Sequence, residues 1–178
     1  MGLIADKLAT MIITVTSPDG HLKGRLRNDD IVNFRIDSHY YSRYADTELA
    51  HQIGQVAAGL WHGRQSGHRT VFREVIGTDV TDTPHWNARH RAFRDAHDTM
   101  RVRAESPRGC IGLESCGMRD WAAVVQPDTV ARLDTDEFVA ELRDVMHALI
   151  RQYRHQRIWL QHDHFDIGLE RLRRTMNP

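Results

Sequence analysis

Two arginine-rich stretches contain the side chains best suited to bind an anion. Residues 151–178 hold six arginines against three carboxylates, and residues 85–103 hold five against two. A guanidinium offers a planar fork of N–H donors that matches the oxygens of a phosphate. The candidate nucleic-acid-binding residues in these stretches are Arg151, Arg154, Arg157, Arg171, Arg173, Arg174, Arg89, Arg91 and Arg94.

The spacing of these arginines indicates how they would act. Arg151, Arg154 and Arg157 are three residues apart, which places them along one side of a helix. If the two stretches meet in space, they would follow the phosphate backbone of duplex DNA. The alternative is a pair of ordinary solvated helix faces whose charges form local salt bridges of little energetic value.

Histidines raise the question of a metal site. Near the end of the chain, His155, His162 and His164 lie around Asp163, and these side chains would suit zinc if the fold brought them together. The sequence lacks a His-Glu-x-x-His pair, so we expect solvated histidines, no metal and no cofactor. Because G-x-S-x-G, G-x-G-x-x-G and Walker sequences are also missing, we expect no catalysis and no small-molecule substrate.

Composition argues against several classes of protein. The 178 residues carry 24 basic and 24 acidic side chains, whereas a DNA-binding protein usually shows a basic excess. No apolar run approaches the roughly 20 residues that span a bilayer, so we expect no membrane partner and a cytoplasmic location.

Cys110 and Cys116 would lie about 20 Å apart on one strand, too far for a disulfide, so we expect free thiols.

The chain shows signs of an internal repeat at an offset of 89 residues. The turn sequence SPDG at 17–20 recurs as SPRG at 106–109. Asp46 and Thr135 are equivalent at this offset, and both residue types cap helix N-termini. The apolar stripe of a helix follows each of them: Leu49, Ile53, Val56, Ala57 and Leu60 in the first copy, and Phe138, Leu142, Val145, Met146 and Leu149 in the second.

The same order of elements is predicted in each copy. Alternating patterns predict strands at Ile12–Thr16, His21–Arg27, Ile31–Ile36, Arg101–Glu105, Cys110–Ser115 and Trp121–Val125, with a helix before and after each set of three. We therefore predict two α-β-β-β-α modules, residues 1–80 and residues 81–178, the second with a C-terminal extension. Trp61, Trp86, Trp121 and Trp159 are predicted to fill the core or the contact between modules.

A family resemblance rests on ITVTSPDGHLKGRLRNDDIVNFRID and DTELAHQIGQVAAGL, within residues 12–60. These stretches resemble the YbaB/EbfC family of small nucleoid-associated proteins, in particular its actinobacterial branch, which includes proteins associated with type VII (ESX) secretion. The resemblance implies an α+β fold in which antiparallel meanders pack with long helices. Family members are typically homodimers of one module, so a tandem copy implies an intramolecular pseudo-dimer; further dimerisation stays open.

Two functions follow from these observations. The resemblance and the arginine stretches favour a non-catalytic, nucleoid-associated protein that binds duplex DNA with little sequence preference. The neutral net charge and the secretion-associated branch favour the alternative, a protein-binding accessory or chaperone associated with type VII secretion.

Overall fold

The computed structural model describes residues 2–27, 31–77 and 88–165. The described residues form a mixed α+β structure, as predicted, with two three-stranded antiparallel sheets and six helices. The elements in chain order are α1 (Gly2–Thr10), β1 (Ile12–Thr16), β2 (Leu22–Arg27), β3 (Ile31–Ile36), α2 (Ser38–Tyr41), α3 (Asp46–Ile76), α4 (Ala88–Asp98), β4 (Arg101–Glu105), β5 (Ile111–Cys116), β6 (Asp120–Val125), α5 (Thr129–Arg132) and α6 (Thr135–Phe165). The join expected near 77–84 lies outside the described residues, apart from Gly77.

The bounds of the strands and of the two long helices follow the offset of 89 residues. β1, β2 and β3 become β4, β5 and β6 when both ends are shifted by 89, and α3 becomes α6. The bounds of all six predicted strands agree with the structure to within one residue at each end. Both long helices have 31 residues and extend well past the predicted apolar stripes.

The two SP-x-G turns make the same hydrogen bonds. In the first, the Ser17 backbone N–H donates to the Leu22 carbonyl at 2.7 Å and the Gly20 N–H donates to the Ser17 carbonyl at 2.9 Å. Ser106 and Gly109 repeat these bonds at 2.8 Å each. Gly20 and Gly109 have φ values of 85° and 67°, a left-handed conformation that glycine adopts without a steric penalty.

Asp46 does not have the capping role that its position suggests. The N-cap of α3 is Ala45, which makes no side-chain hydrogen bond. The Asp46 carboxylate instead accepts the backbone N–H groups of Asp128, at 2.8 Å, and Val130, at 3.0 Å. These two N–H groups lie at the start of α5, where a negative charge satisfies otherwise unpaired donors. A predicted local cap is thus a contact between the two halves of the chain.

The helix α6 also begins differently from the prediction, which placed Thr135 as the cap. Asp134 Oδ1 accepts the Glu137 backbone N–H at 2.8 Å, and Glu137 Oε2 accepts the Asp134 N–H at 3.2 Å. This reciprocal pair is a capping box. The signal was present one residue earlier than the assigned cap.

Each long helix packs against strands from both sheets. The helix α3 lies on β1 and β2 and also on β6, whereas α6 lies on β4 and β5 and also on β3. His147 of α6 accepts the backbone N–H of Val32, in the edge strand β3, at 3.2 Å. The side chains that fill this shared core include Leu49, Ile53, Val56, Leu60, Phe138, Leu142, Val145 and Leu149, all fully buried.

The tryptophans divide between core and surface. Trp61 is buried, and its ring lies 6.4 Å from the ring of the half-buried Trp121, as expected of a contact between the halves. Trp159 is 42% exposed, so its prediction as a core residue is wrong. It lies on the outer side of the last turns of α6, where its indole N–H bonds to His155 at 3.0 Å. Trp86 lies outside the described residues.

Glycines in α3 bring this helix close to β1. A Cβ atom added at Gly59 would lie 2.8 Å from Val15 Cγ1, and one added at Gly63 would lie 2.7 Å from Ile13 Cγ2. Both distances are shorter than ordinary carbon–carbon contacts, which are about 3.5–4.0 Å. The helix can therefore approach the strand only because these positions lack side chains.

The close approach gives a prediction with a matched control. Gly59→Ala should gain helix propensity but push α3 from Val15, for a net loss of about 1–2 kcal/mol of unfolding free energy. Gly54→Ala in the same helix should stabilise the protein by up to about 1 kcal/mol, because its nearest neighbours, Trp121 O and Ala123 N, are 3.7 and 3.9 Å away. Urea denaturation of both variants measures the difference. Equal changes in the two variants would contradict the close packing at Gly59.

Asp19 organises the first turn. Its carboxylate accepts hydrogen bonds from the Ser17 and Tyr44 hydroxyls and, at 3.1 Å, from the His21 backbone N–H. Partial burial, the largest effect, raises the pKa of Asp19, but the hydrogen bonds and the nearby His21 ring together outweigh it and lower the pKa.

A pH dependence follows from the lowered pKa of Asp19. Because the ionised form is favoured in the folded state, its stabilisation is present above the ordinary value of 3.8 and is lost as the pH falls through the folded-state pKa. Asp19→Asn should therefore cost about 1–2 kcal/mol at pH 7, and the difference from wild type should shrink below about pH 4. Denaturation at pH 7 and pH 3, with the exposed Asp120→Asn as control, tests this. A difference that is the same at both pH values would refute it.

Candidate nucleic-acid interface

The outer face of the sheet β1–β3 is basic. Side chains alternate along a strand, and in β2 the residues Leu22, Gly24 and Leu26 point into the core. The alternate residues of β2 point to the other side of the sheet and are exposed cations, as is one residue of β3. These four residues are Lys23, Arg25, Arg27 and Arg35. This face, defined by these four cations, is called the basic sheet face below.

The basic sheet face has little compensating negative charge. The strands β1, β2 and β3 contain no Asp or Glu, and none of the four cations forms a salt bridge with a described residue. Arg35 borders a shallow depression that Asp134 and Asp136 also line. Lys23 is paired directly with Arg35 across the strands. Like charges at such a position repel and destabilise a sheet.

The equivalent face of the second sheet is different. At an offset of 89, the four cationic positions become Gly112, Glu114, Cys116 and Val124. The arginines that this face does carry are neutralised: Arg101 pairs with Glu114 at 3.2 Å and Arg103 pairs with Glu105 at 3.0 Å. The same strand arrangement therefore forms without a cationic face, so the fold does not require the charges on the first sheet.

The arginines predicted from the sequence lie on two helices that meet. The helix α4 packs on α6, with the Phe93 ring 5.2 Å from the Phe165 ring. Arg94 and Arg157 line one cleft, whereas Arg89 lines a depression beside His162 and His164. Arg91, Arg151 and Arg154 are exposed on the same two helices, and Arg171, Arg173 and Arg174 lie outside the described residues.

The histidines near the end of α6 have local partners. His162 Nδ1 lies 3.6 Å from Asp163 Oδ1, and His164 Nδ1 lies 3.0 Å from the Leu160 carbonyl oxygen. Within residues 2–27, 31–77 and 88–165, no group of three or more His, Cys, Asp or Glu side chains is placed to hold a metal ion. Cys110 and Cys116 are free thiols, as predicted.

The sequence analysis missed the basic sheet face because it counted charges only over residues 85–103 and 151–178. Its signal was present in the stretch HLKGRLR, whose alternation assigns the cations to one side of the strand and the apolar residues to the other. Counting the charges on every second residue of this stretch would have identified the face.

Comparison with known proteins indicates neither a family nor a function for this chain. The chain has no significant match among family models, curated proteins or solved structures. In the described part of the chain, no helix combines the length and the apolar character needed to cross a membrane.

The repulsion on the basic sheet face can be measured. Lys23→Gln removes one charge from a face of four, so it should raise the unfolding free energy by about 0.2–1 kcal/mol at low salt. High salt should reduce the gain, because it screens exposed charges. The control Arg103→Gln, which removes a paired arginine, should give no such gain. A loss of stability in Lys23→Gln at low salt would contradict the repulsion.

Proposed function

We propose that this chain is a non-catalytic binding protein that contacts the phosphate backbone of duplex DNA without reading its base sequence. The observation that carries the proposal is the basic sheet face, on which four exposed cations lie together with no carboxylate in the three strands. We expect such a cluster of like charges to cost stability, and its presence is explained if an anionic partner neutralises it.

The geometry of the face suits a polyanion. Lys23, Arg25 and Arg27 are separated by two residues along β2, which spaces their side chains by roughly 7 Å in a row. Such a row contacts successive phosphates but presents no fixed pair of donors to a base edge. Binding would therefore be electrostatic, sensitive to salt and indifferent to sequence.

Neutral net charge is compatible with this function because the three strands of the basic sheet face contain cations and no carboxylate. Acidic residues concentrate near the start of α6, where Asp134, Asp136, Glu137, Glu141 and Asp144 lie within eleven residues. The cations of the basic sheet face are neighbours along β2 and across to β3, so each adds to the positive field of the others.

The fold supports a tandem, YbaB-like arrangement. We propose that the two halves form an intramolecular pseudo-dimer, because β1–β3 and α3 recur as β4–β6 and α6, and because each long helix packs on the third strand of the other half. The order α-β-β-β-α and the stretches within residues 12–60 support the resemblance to the YbaB/EbfC family. The arginines of α4 and α6 would be a second contact for the same duplex.

A pair of double variants tests the DNA-binding function. Fluorescence anisotropy with a labelled duplex at low salt should show binding by wild type, with an affinity that falls steeply as salt rises. Lys23→Gln/Arg25→Gln should weaken binding roughly tenfold and lower the salt slope by about two. Arg101→Gln/Arg103→Gln removes the same charge from strand positions of the second sheet, so it should have a much smaller effect. A third pair, Arg89→Gln/Arg151→Gln, measures the contribution of α4 and α6.

Two outcomes would contradict the proposal: no complex at low salt, or equal losses in the two sheet variants. The remaining candidate would then be the protein-binding accessory. The feature that favours it is the outer face of the second sheet, where Val124 is 54% exposed beside the small residues Ala122 and Gly112.

A further inference from the structure

The strand β1 has a free edge. It lies at one end of its sheet and pairs with β2 alone. The Ser17 backbone N–H donates towards β2, and hydrogen-bonded pairs alternate along an antiparallel ladder. The backbone N–H and C=O groups of Ile12, Thr14 and Thr16 therefore point away from β2, and none of them has a hydrogen-bond partner among the described residues. Such an edge is a template for pairing with another strand.

Both helix-flanked edges of the two sheets are covered by the opposite half of the chain. The edge of β3 meets α6, where His147 accepts the Val32 N–H at 3.2 Å. The edge of β6 meets α3 at Gly54, which lies against the backbone of Trp121 and Ala123. The remaining edges are those of β1 and β4, which are equivalent at the offset of 89 residues.

The edge of β4 has the protection that β1 lacks. The backbone N–H of Arg103, which is equivalent to Thr14, donates to the Gln152 side chain at 3.0 Å. The residue of α3 equivalent to Gln152 is Gly63, which has no side chain to make this bond. The strand β4 also has three exposed charged side chains, which discourage pairing at an edge, whereas the sequence of β1, IITVT, has none. The same strand position is thus closed in one half and open in the other.

The sequence of β1 is complementary to itself about Thr14. In antiparallel pairing of two copies across a twofold axis at Thr14, Ile12 lies opposite Thr16 and Ile13 lies opposite Val15. All five residues are β-branched, the class that packs best on a pleated surface. Ile13 and Val15 are only half-buried on the core side, and Ile12 is 47% exposed on the outer side. Pairing therefore covers apolar surface on both sides of the sheet.

The cations of the basic sheet face are far enough from the axis to allow this pairing. The nearest ones lie on β2, one strand away from β1. The Cα atoms of Arg25 in the two copies would be three strand spacings apart, about 14 Å. This distance exceeds the screening length of about 8 Å at physiological ionic strength. An axis perpendicular to the sheet also keeps both basic sheet faces on the same side.

We propose that the free edge of β1 is the site at which two copies of this chain associate. Antiparallel β1–β1 pairing joins their first sheets into one sheet of six strands, and the outward backbone groups of Ile12, Thr14 and Thr16 bond across the axis. The sequence analysis left further dimerisation open. The dimer does not depend on the DNA-binding function, although it would extend the face that this function uses.

Cysteine cross-linking tests the register. In Thr14→Cys the two new thiols lie across the axis, with Cα atoms about 5.5 Å apart, a distance that a disulfide spans. In the control Thr16→Cys the new cysteine lies opposite Ile12, and the two Cα atoms are about 14 Å apart. Oxidation with diamide should therefore give a disulfide-linked dimer of Thr14→Cys and not of Thr16→Cys, above the background that Cys110 and Cys116 give in wild type. Equal yields from the two variants would overturn the proposal.

Sedimentation velocity measures association without a cross-link. Wild type should be a dimer at about 100 μM and should dissociate on dilution. Thr14→Lys places two ammonium groups opposite each other at the axis, so it should weaken dimerisation at least about tenfold. Val124→Lys adds the same charge at an exposed strand position of the second sheet and should leave dimerisation unchanged. Circular dichroism checks that both variants are folded.

Three results of the sedimentation experiment would overturn the proposal. They are a wild type that stays monomeric at about 100 μM, a dimer that survives Thr14→Lys, and a dimer that is lost in Val124→Lys, which would place the interface on the second sheet. If Thr14→Lys does not fold, the two cysteine variants decide. Both experiments are made without DNA, so their failure would leave the DNA-binding proposal standing.

Discussion

The structure depends on the packing of each long helix against strands of both sheets. A three-stranded meander with one helix leaves apolar surface uncovered, because one helix is narrower than a sheet. Here α3 covers β1 and β2 and then β6, and α6 covers β4 and β5 and then β3. The apolar stripes of both helices are consequently fully buried in one core. Neither half retains this burial without the other, so the two halves stabilise each other.

Exposed positions that are equivalent in the two halves carry side chains of different charge, although the strands and long helices of the two halves correspond. The turn position of Asp19 becomes Arg108, which pairs with Glu137 at 3.1 Å instead of with neighbouring hydroxyls. The cations of the basic sheet face become neutral or acidic residues on the second sheet. Buried positions keep their apolar character, because packing constrains them, whereas exposed positions are free to change. Differences between the halves are therefore concentrated on surfaces, where binding occurs.

The sequence contains a local signal for the basic sheet face but none for the cleft that Arg94 and Arg157 line. The basic sheet face follows from alternation within β2 alone, since neighbouring side chains on one side of a strand are two residues apart. The cleft does not follow from any local pattern, because Arg64 and Arg157 are 93 positions apart and meet only through the crossing of α3, α4 and α6. The arginine spacing in α6 predicts one helical side, but it could not show that Arg157 lines a cleft with Arg94, whereas Arg151 and Arg154 do not.

The amino-acid sequence by itself determined the order of the strands and of the helices before and after them, the offset of 89 residues and the strand bounds to within one residue, because all of these are local. The short helices α2 and α5 were not predicted. Side-chain alternation and the SP-x-G turns act over a few residues, and their signals survive in each half independently. Only the tertiary structure decided that the Asp46 carboxylate binds the start of α5 instead of capping α3. It also decided which sheet each helix covers beyond its own. These are contacts between residues far apart in the chain, such as Gly54 and Trp121, which are 67 positions apart. Their partners are selected by shape and burial in the folded chain, which no local spacing encodes.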